Sequence, residues 1–163
     1  FIKEMKVEIS KNKCTAYVGS LFRISIDSKD KYKYKTFPSE LSQQRRVYFS
    51  NPGFGGQNIV VNTDFMKKIG GFDLDFPGSE DRDLAARILE NKKTICSVPN
   101  AIAILCDHSG DRLRLNKGAR SRLLFISKHY RRMSIVEICY AFIKIFDYLQ
   151  RSVRNSTKIK ANR

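Results

Sequence analysis

The sequence predicts an α/β domain, a mixed sheet with flanking helices that ends in a C-terminal amphipathic helix. Three stretches carry this reading. Residues 1 to 11 have a helical apolar pattern and lead into a strand from Cys14 to Ile26, in which Tyr17, Gly19 and Leu21 alternate with Ala16, Val18 and Ser20. Lys93 to Val98 and Ala101 to Cys106 are short apolar runs that read as two strands joined by a tight Pro99-Asn100 connection. Ser134 to Leu149 places Ile135, Ile138, Phe142, Ile145, Phe146 and Leu149 on one wide stripe, and a basic tail follows it.

Length and composition set the scale. With 163 residues, 42% of them hydrophobic, the chain is long enough for one domain with a real core. It opens on Phe1 inside an amphipathic run with no cap before it, which predicts a partial sequence. The 31 basic and 16 acidic residues leave a net charge of +15, which calls for anionic partners without choosing among phosphates, nucleic acid and an acidic membrane surface. Cys14, Cys96, Cys106 and Cys139 form no CxxC pair, and three of the four lie in apolar runs that read as buried. With no signal peptide in view, a cytoplasmic location is expected, peripheral at the inner face of the membrane if the C-terminal helix binds there.

After the first strand the pattern weakens. Between Asp27 and Ser50, Lys29, Lys31, Lys33 and Lys35 alternate with Asp30, Tyr32 and Tyr34, which reads as an exposed loop or edge ribbon. Basic and aromatic residues in alternation can bind nucleic acid by phosphate contact and stacking. No recognisable nucleic-acid module surrounds them, so no nucleic-acid partner is expected. Asn51 to Asn58 is a glycine-rich turn leading into a strand from Ile59 to Asn62, without the Lys-Ser/Thr of a phosphate-binding P-loop.

Thr63 to Ile69 is a short amphipathic run closed by Gly70-Gly71, residues suited to a left-handed cap. Phe72 and Phe76 bracket two acids, Pro77-Gly78 makes a further turn, and Ser79 is the expected N-cap of a helix over 80–91. Leu84, Ala85, Ile88 and Leu89 give that helix a buried face. Asp81 then falls at the mouth of the buried face, while Asp83 is expected to pair outward with Arg87 at i,i+4. A carboxylate held at such an edge suits a general base. Acids in a first helical turn are also favoured simply by the helix dipole.

The flanks of this stretch narrow the choice. Ile69-Gly-Gly-Phe-Asp73, followed by Glu80-Asp-Arg-Asp-Leu84 and then Arg87, resembles the C-terminal, acceptor-side half of family 2 glycosyltransferases of the GT-A fold, over roughly residues 12 to 130. The resemblance implies that Asp81 is the base of an inverting sugar transfer and that Glu80 lies in the acceptor site. It also makes Gly55, Gly56, Gln57 and Asn58 candidates for the sugar and acceptor pocket. The family holds its divalent metal, Mn or Mg, on an Asp-x-Asp motif after a long hydrophobic strand. Asp73-Leu-Asp75 and Asp81-Arg-Asp83 lack that context and read as decoys, so the metal site and most of the nucleotide pocket are expected outside this chain.

Asp107 and His108 close the second of the two late strands, a position where α/β folds place functional groups. The resemblance makes His108 a candidate metal ligand, and a loop histidine with one hydrogen bond is the alternative. Residues 111 to 132 carry eight basic residues and one acid on an amphipathic helical pattern. From it Arg112, Arg114 and Lys117 could meet a leaving diphosphate. Two domains follow from this reading: 1–130, part of the catalytic domain, and 131–163, an amphipathic helix with a basic tail.

Taken together, the resemblance implies transfer of a sugar from a nucleotide-sugar donor to a hydroxyl of a glycan or lipid-linked acceptor, as in polysaccharide biosynthesis at a cell envelope. An anionic membrane surface is a further partner to test. The rival class is a non-catalytic basic module that docks on nucleic acid or an anionic surface. It accounts for the charge and leaves the Gly-Gly-Phe-Asp to Glu-Asp spacing unexplained.

Overall fold

The computed structural model describes residues 1–25, 32–107 and 115–161, with side chains over 1–24, 34–106 and 117–151. The chain divides into two compact units, one formed by Phe1–Asp73 with Asp81–Gly110, the other by Leu74–Glu80 with Asp111–Arg163.

The first unit is organised on strand β1 (Ala16–Ser25). Strand β4 (Ile95–Asp107) pairs with it in parallel along its whole length. Strands β2 (Tyr32–Lys35) and β3 (Ile59–Val61) pair antiparallel with different halves of β1, and so share its opposite edge. The sheet is therefore mixed and the class α/β. As expected of a central strand, Ala16, Tyr17, Val18 and Leu21 are buried whichever face they point to. Helix α1 (Ile2–Lys11) buries Met5 against Tyr17, Val98 and Ala101.

Pro99-Asn100 does not turn the chain: β4 is one strand, and its register against β1 steps from Gly19↔Val98 to Ser20↔Ile102. Proline cannot donate to the ladder, so the segment bulges out of it. The Ser20 hydroxyl fills the gap by donating to the Pro99 carbonyl at 2.8 Å. Gly19 is needed opposite the bulge, because a Cβ there would drive into the Ala101 carbonyl oxygen. The cysteines are not fully buried either, although Cys14 and Cys96 pack, partly buried, against the cluster of Met5, Tyr17, Val98 and Ala101. Cys14 and Cys96, 82 residues apart, are disulfide-bonded across β1 and β4, and Cys106 and Cys139 are exposed. Their apolar runs present open faces; Ile102 and Ile104, which alternate with Cys106 on β4, are exposed too.

Beyond β2, which is the edge ribbon, the stretch read as loop folds. Helix α2 (Leu41–Gln44) and a 3-10 turn over Arg45–Tyr48 bury Gln44, Val47 and Tyr48. The Gln44 amide donates to the carbonyls of Pro38 and Ile95, both at 2.9 Å, and so ties this turn to β4. Helix α3 (Thr63–Lys68) starts on Asn62, whose side chain accepts from the Phe65 amide at 2.9 Å. It ends as the sequence predicts. Gly70 and Gly71 lie at φ +81° and +70°, and the Gly71 amide returns to the Met66 carbonyl at 2.9 Å.

In the second unit helix α5 (Leu115–His129), a 3-10 turn over Tyr130–Arg132 and a long helix, α6 (Ile135–Ala161), bury Ala119, Phe125, Met133, Ala141 and Ile145. The α6 start is a capping box: the Ser134 amide donates to Glu137 Oε2 at 2.6 Å, and the Glu137 amide to Ser134 Oγ at 3.3 Å. The helix runs on past Leu149 into the basic tail, which contains no glycine or proline to stop it.

Candidate active site

Helix α4 (Glu80–Glu90) carries the sequence-predicted acids. Ser79 precedes it at φ +67°, in the left-handed region and not in the extended backbone expected of an N-cap serine. Leu84, Ala85 and Ile88 are buried as the periodicity requires. Arg82 and Asp83 are buried with them, which overturns the outward placement of Asp83. Two other segments cover the polar side of the helix. Arg82 donates from Nε to the Val47 carbonyl at 2.6 Å and from Nη2 to the Tyr48 carbonyl at 2.7 Å. Arg87 donates to Asp83 at 2.7 Å, and its other two nitrogens reach the Ile69 and Gly71 carbonyls at 2.9 and 2.7 Å.

Asp83 is thus a structural carboxylate. Its charge is offset by Arg87, and together they clamp the double-glycine turn onto α4. Glu80 and Asp81 differ from it: Glu80 is exposed and Asp81 half-buried, with Asp81 Oδ1 accepting from the Arg82 amide at 2.6 Å. A carboxylate that accepts from a backbone amide, on a helix anchored from both sides, has a defined direction. That is what a general base needs.

The glycine-rich turn is held just as firmly. Asn58 is fully buried; its amide nitrogen donates to the carbonyls of Gly19 and Gly53, each at 2.8 Å, and its oxygen accepts from the Gly55 amide at 2.8 Å. Asn51 Oδ1 accepts from the amides of Gly53 and Phe54 at 2.9 and 2.8 Å. Gly55 is also buried, and a Cβ on it would crowd the side chains of Gln57 and Asn58. Gly56 and Gln57 form the exposed tip. Among the four loop candidates, then, Gly56 and Gln57 face solvent, whereas Gly55 and Asn58 shape the turn.

Loop and helix start are linked through the 3-10 turn. Arg82, next to Asp81, holds the carbonyls of Val47 and Tyr48, three residues before Asn51. A cavity of about 570 Å³ in the same unit reaches the loop at Asn51 and Pro52 and is otherwise lined by Tyr34, Thr36, Gln43 and Arg46 among others. Another, of about 540 Å³, lies between α1, β1 and β3. Neither of these two is lined by Asp81. At the edge of the first cavity the Tyr34 hydroxyl donates to Ser20 Oγ at 2.9 Å, and the hydroxyls of Ser20 and then Thr36 hold its pKa below the ordinary phenol value.

His108 and Arg112 lie outside the described residues, as does Arg114. Among the described residues no group of three or more His, Cys, Asp and Glu could hold a metal ion. Beyond the Arg87–Asp83 pairing, which the structure bears out, sequence reasoning missed the Arg82 anchor, the Arg87 bonds to the double-glycine turn and the structural role of Asn58. Arg82 and Arg87 sit where surface arginines commonly sit on a helix, and only the covering segments make them internal. Asn58 did carry a signal, a side-chain amide directly before an apolar strand.

No curated protein and no solved structure matches the chain. Residues 30–109, 80 of the 163, match the family described as N-terminal domain of galactosyltransferase. The match takes in the 3-10 turn, the glycine loop, the double-glycine turn and α4. The chain carries a glycosyltransferase-family domain over this stretch, and its mixed α/β sheet is consistent with the GT-A-like superfamily.

Proposed function

We propose that this domain serves an inverting transfer of a sugar from a nucleotide-sugar donor to a hydroxyl of a glycan or lipid-linked acceptor, with Asp81 as the base. The acceptor O–H gives its proton to the Asp81 carboxylate while its oxygen attacks the anomeric carbon. The bond from that carbon to the diphosphate oxygen breaks, and its electron pair leaves with the diphosphate. The observation that carries the reading is the anchored start of α4, where Asp81 stays partly accessible and Asp83, two residues on, is buried against Arg87. Glu80, exposed at the first position of the same helix, suits an acceptor hydroxyl, and the Gly56-Gln57 tip suits a sugar. The spacing shared with family 2 enzymes supports the inverting course. No described cluster fits a divalent ion, and no step here runs through one.

The test is Asp81→Asn in the full-length protein, assayed for sugar transfer. Asparagine keeps the size of the side chain and an oxygen for the Arg82 amide but cannot take the proton. The rate should fall about 10²- to 10⁴-fold with donor binding little changed. Asp64→Asn is the control, since Asp64 is exposed in the first turn of α3 and shares any helix-dipole contribution, about 0.3–1 kcal/mol. Equal, small losses from the two changes would remove Asp81 as base.

A further inference from the structure

Helix α6 has two apolar faces. One, with Ala141 and Ile145, is buried in its own unit against α5. The other is open. On a helix of 3.6 residues per turn Ile135, Cys139, Phe142, Ile143, Phe146 and Leu149 fall on one side, and all six are exposed, Ile135 at 80%, Ile143 at 65% and Phe146 at 62%. No charged residue interrupts that side between Ile135 and Gln150.

The charge around the stripe identifies what covers it. Residues 111–163 hold fourteen basic and three acidic residues, a net +11 of the chain's +15. Both acids of α6 are engaged: Glu137 closes the capping box, and Asp147 accepts from Arg151 Nε at 3.0 Å. Arg131 and Arg132 are exposed just before the stripe and Arg151 just after it. Arg154, Lys158, Lys160 and Arg163 continue the basic sequence. A second copy seated on the stripe would bring two such basic segments together, which like-charge repulsion opposes. Nucleic acid would satisfy the charge and leave two phenyl and several aliphatic side chains in water. A surface with phosphate above and hydrocarbon below satisfies both. No described helix is long and apolar enough to cross a membrane, so the fitting mode is in-plane.

We propose that α6 is an in-plane anchor for anionic lipid, seating the Ile135–Leu149 stripe at the boundary of headgroups and acyl chains with its basic flanks at the phosphates. This stands independently of the sugar-transfer reading. It would place a domain that uses a lipid-linked acceptor at the surface where such an acceptor lies.

The experiment uses the full chain and vesicles of phosphatidylcholine alone or with phosphatidylglycerol. The chain contains no tryptophan, so Phe146→Trp introduces a single reporter at an exposed position. Its emission should shift to the blue and be quenched by brominated acyl chains with the anionic vesicles only, and high salt should reverse the effect. Phe142→Ser with Phe146→Ser, checked by circular dichroism for retained helix, should cut co-sedimentation at least about tenfold, as expected when two buried phenyl groups become small and polar. If the double variant loses helix, the Phe146→Trp emission alone decides. Equal binding to neutral vesicles, binding that the double variant leaves unchanged, or no blue shift overturns the proposal. So does a dimer that forms through the stripe in preference to vesicle binding, or tighter binding to nucleic acid than to anionic vesicles.

Discussion

Helices α4 and α6 are both amphipathic by sequence, yet the structure completes one and leaves the other open. Around α4, apolar residues fill one side and the arginines hold carbonyls from two other segments on the other, so Arg82 through Ala86 are all buried. At its start, Glu80 stays exposed and Asp81 half-buried. On α6 the polar contacts lie at the start and along one flank, and a continuous apolar side stays uncovered. A helix that engages its polar residues internally can fix a reacting group. One that leaves apolar residues in water has a surface to place against something else.

The largest effect that can break this contrast is the rate loss on Asp81→Asn, with stability close to the parent, because the residue is half-buried at a helix start. Asp83→Asn should do the reverse. The Asp83 side chain is fully buried against an Arg87 that keeps 20% exposure, so removing its charge should lower stability by roughly 1–3 kcal/mol. The partial exposure of Arg87 and the oxygen that asparagine retains keep this below the cost of stripping a partner from a sealed pair. Denaturant unfolding checks it. If Asp83→Asn proves as stable as the parent, the clamp on the double-glycine turn is not what holds α4.

Much of this was legible in the sequence. The α1 and β1 patterns, the Gly70-Gly71 cap and the α4 core face were read from local periodicity, because local backbone preference and burial agree there. The Glu-Asp helix start was legible for the same reason. Asp83 was not, since its burial comes from segments 12 and more residues away that cover a face that looks polar in isolation. Pro99-Asn100 carries a turn signal that pairing with β1 overrides, leaving a bulge. The Cys14–Cys96 pair spans 82 residues and leaves no local trace. The Ser134-Ile-Val-Glu137 box is a local signal in the sequence, directly before the apolar stripe.

That box supplies the smallest and most local test. Ser134→Ala removes the hydroxyl that accepts from the Glu137 amide, a loss of about 1 kcal/mol for an N-cap. The Ser134 amide keeps its bond to the Glu137 carboxylate, so half of the reciprocal pair survives. Further along, α6 is held by Ala141 and Ile145, which the change does not touch. The expected outcome is therefore fraying confined to the first turn: exchange of the amides at 135–138 should speed up about fivefold, the factor that corresponds to 1 kcal/mol. Exchange further along α6 and binding to anionic vesicles should stay as in the parent. Hydrogen exchange with residue resolution reads this directly. A global loss as large as that of Asp83→Asn would mean that the polar start of α6 is as integral to its unit as the clamp is to α4. The distinction between a completed helix and an open one would then fail.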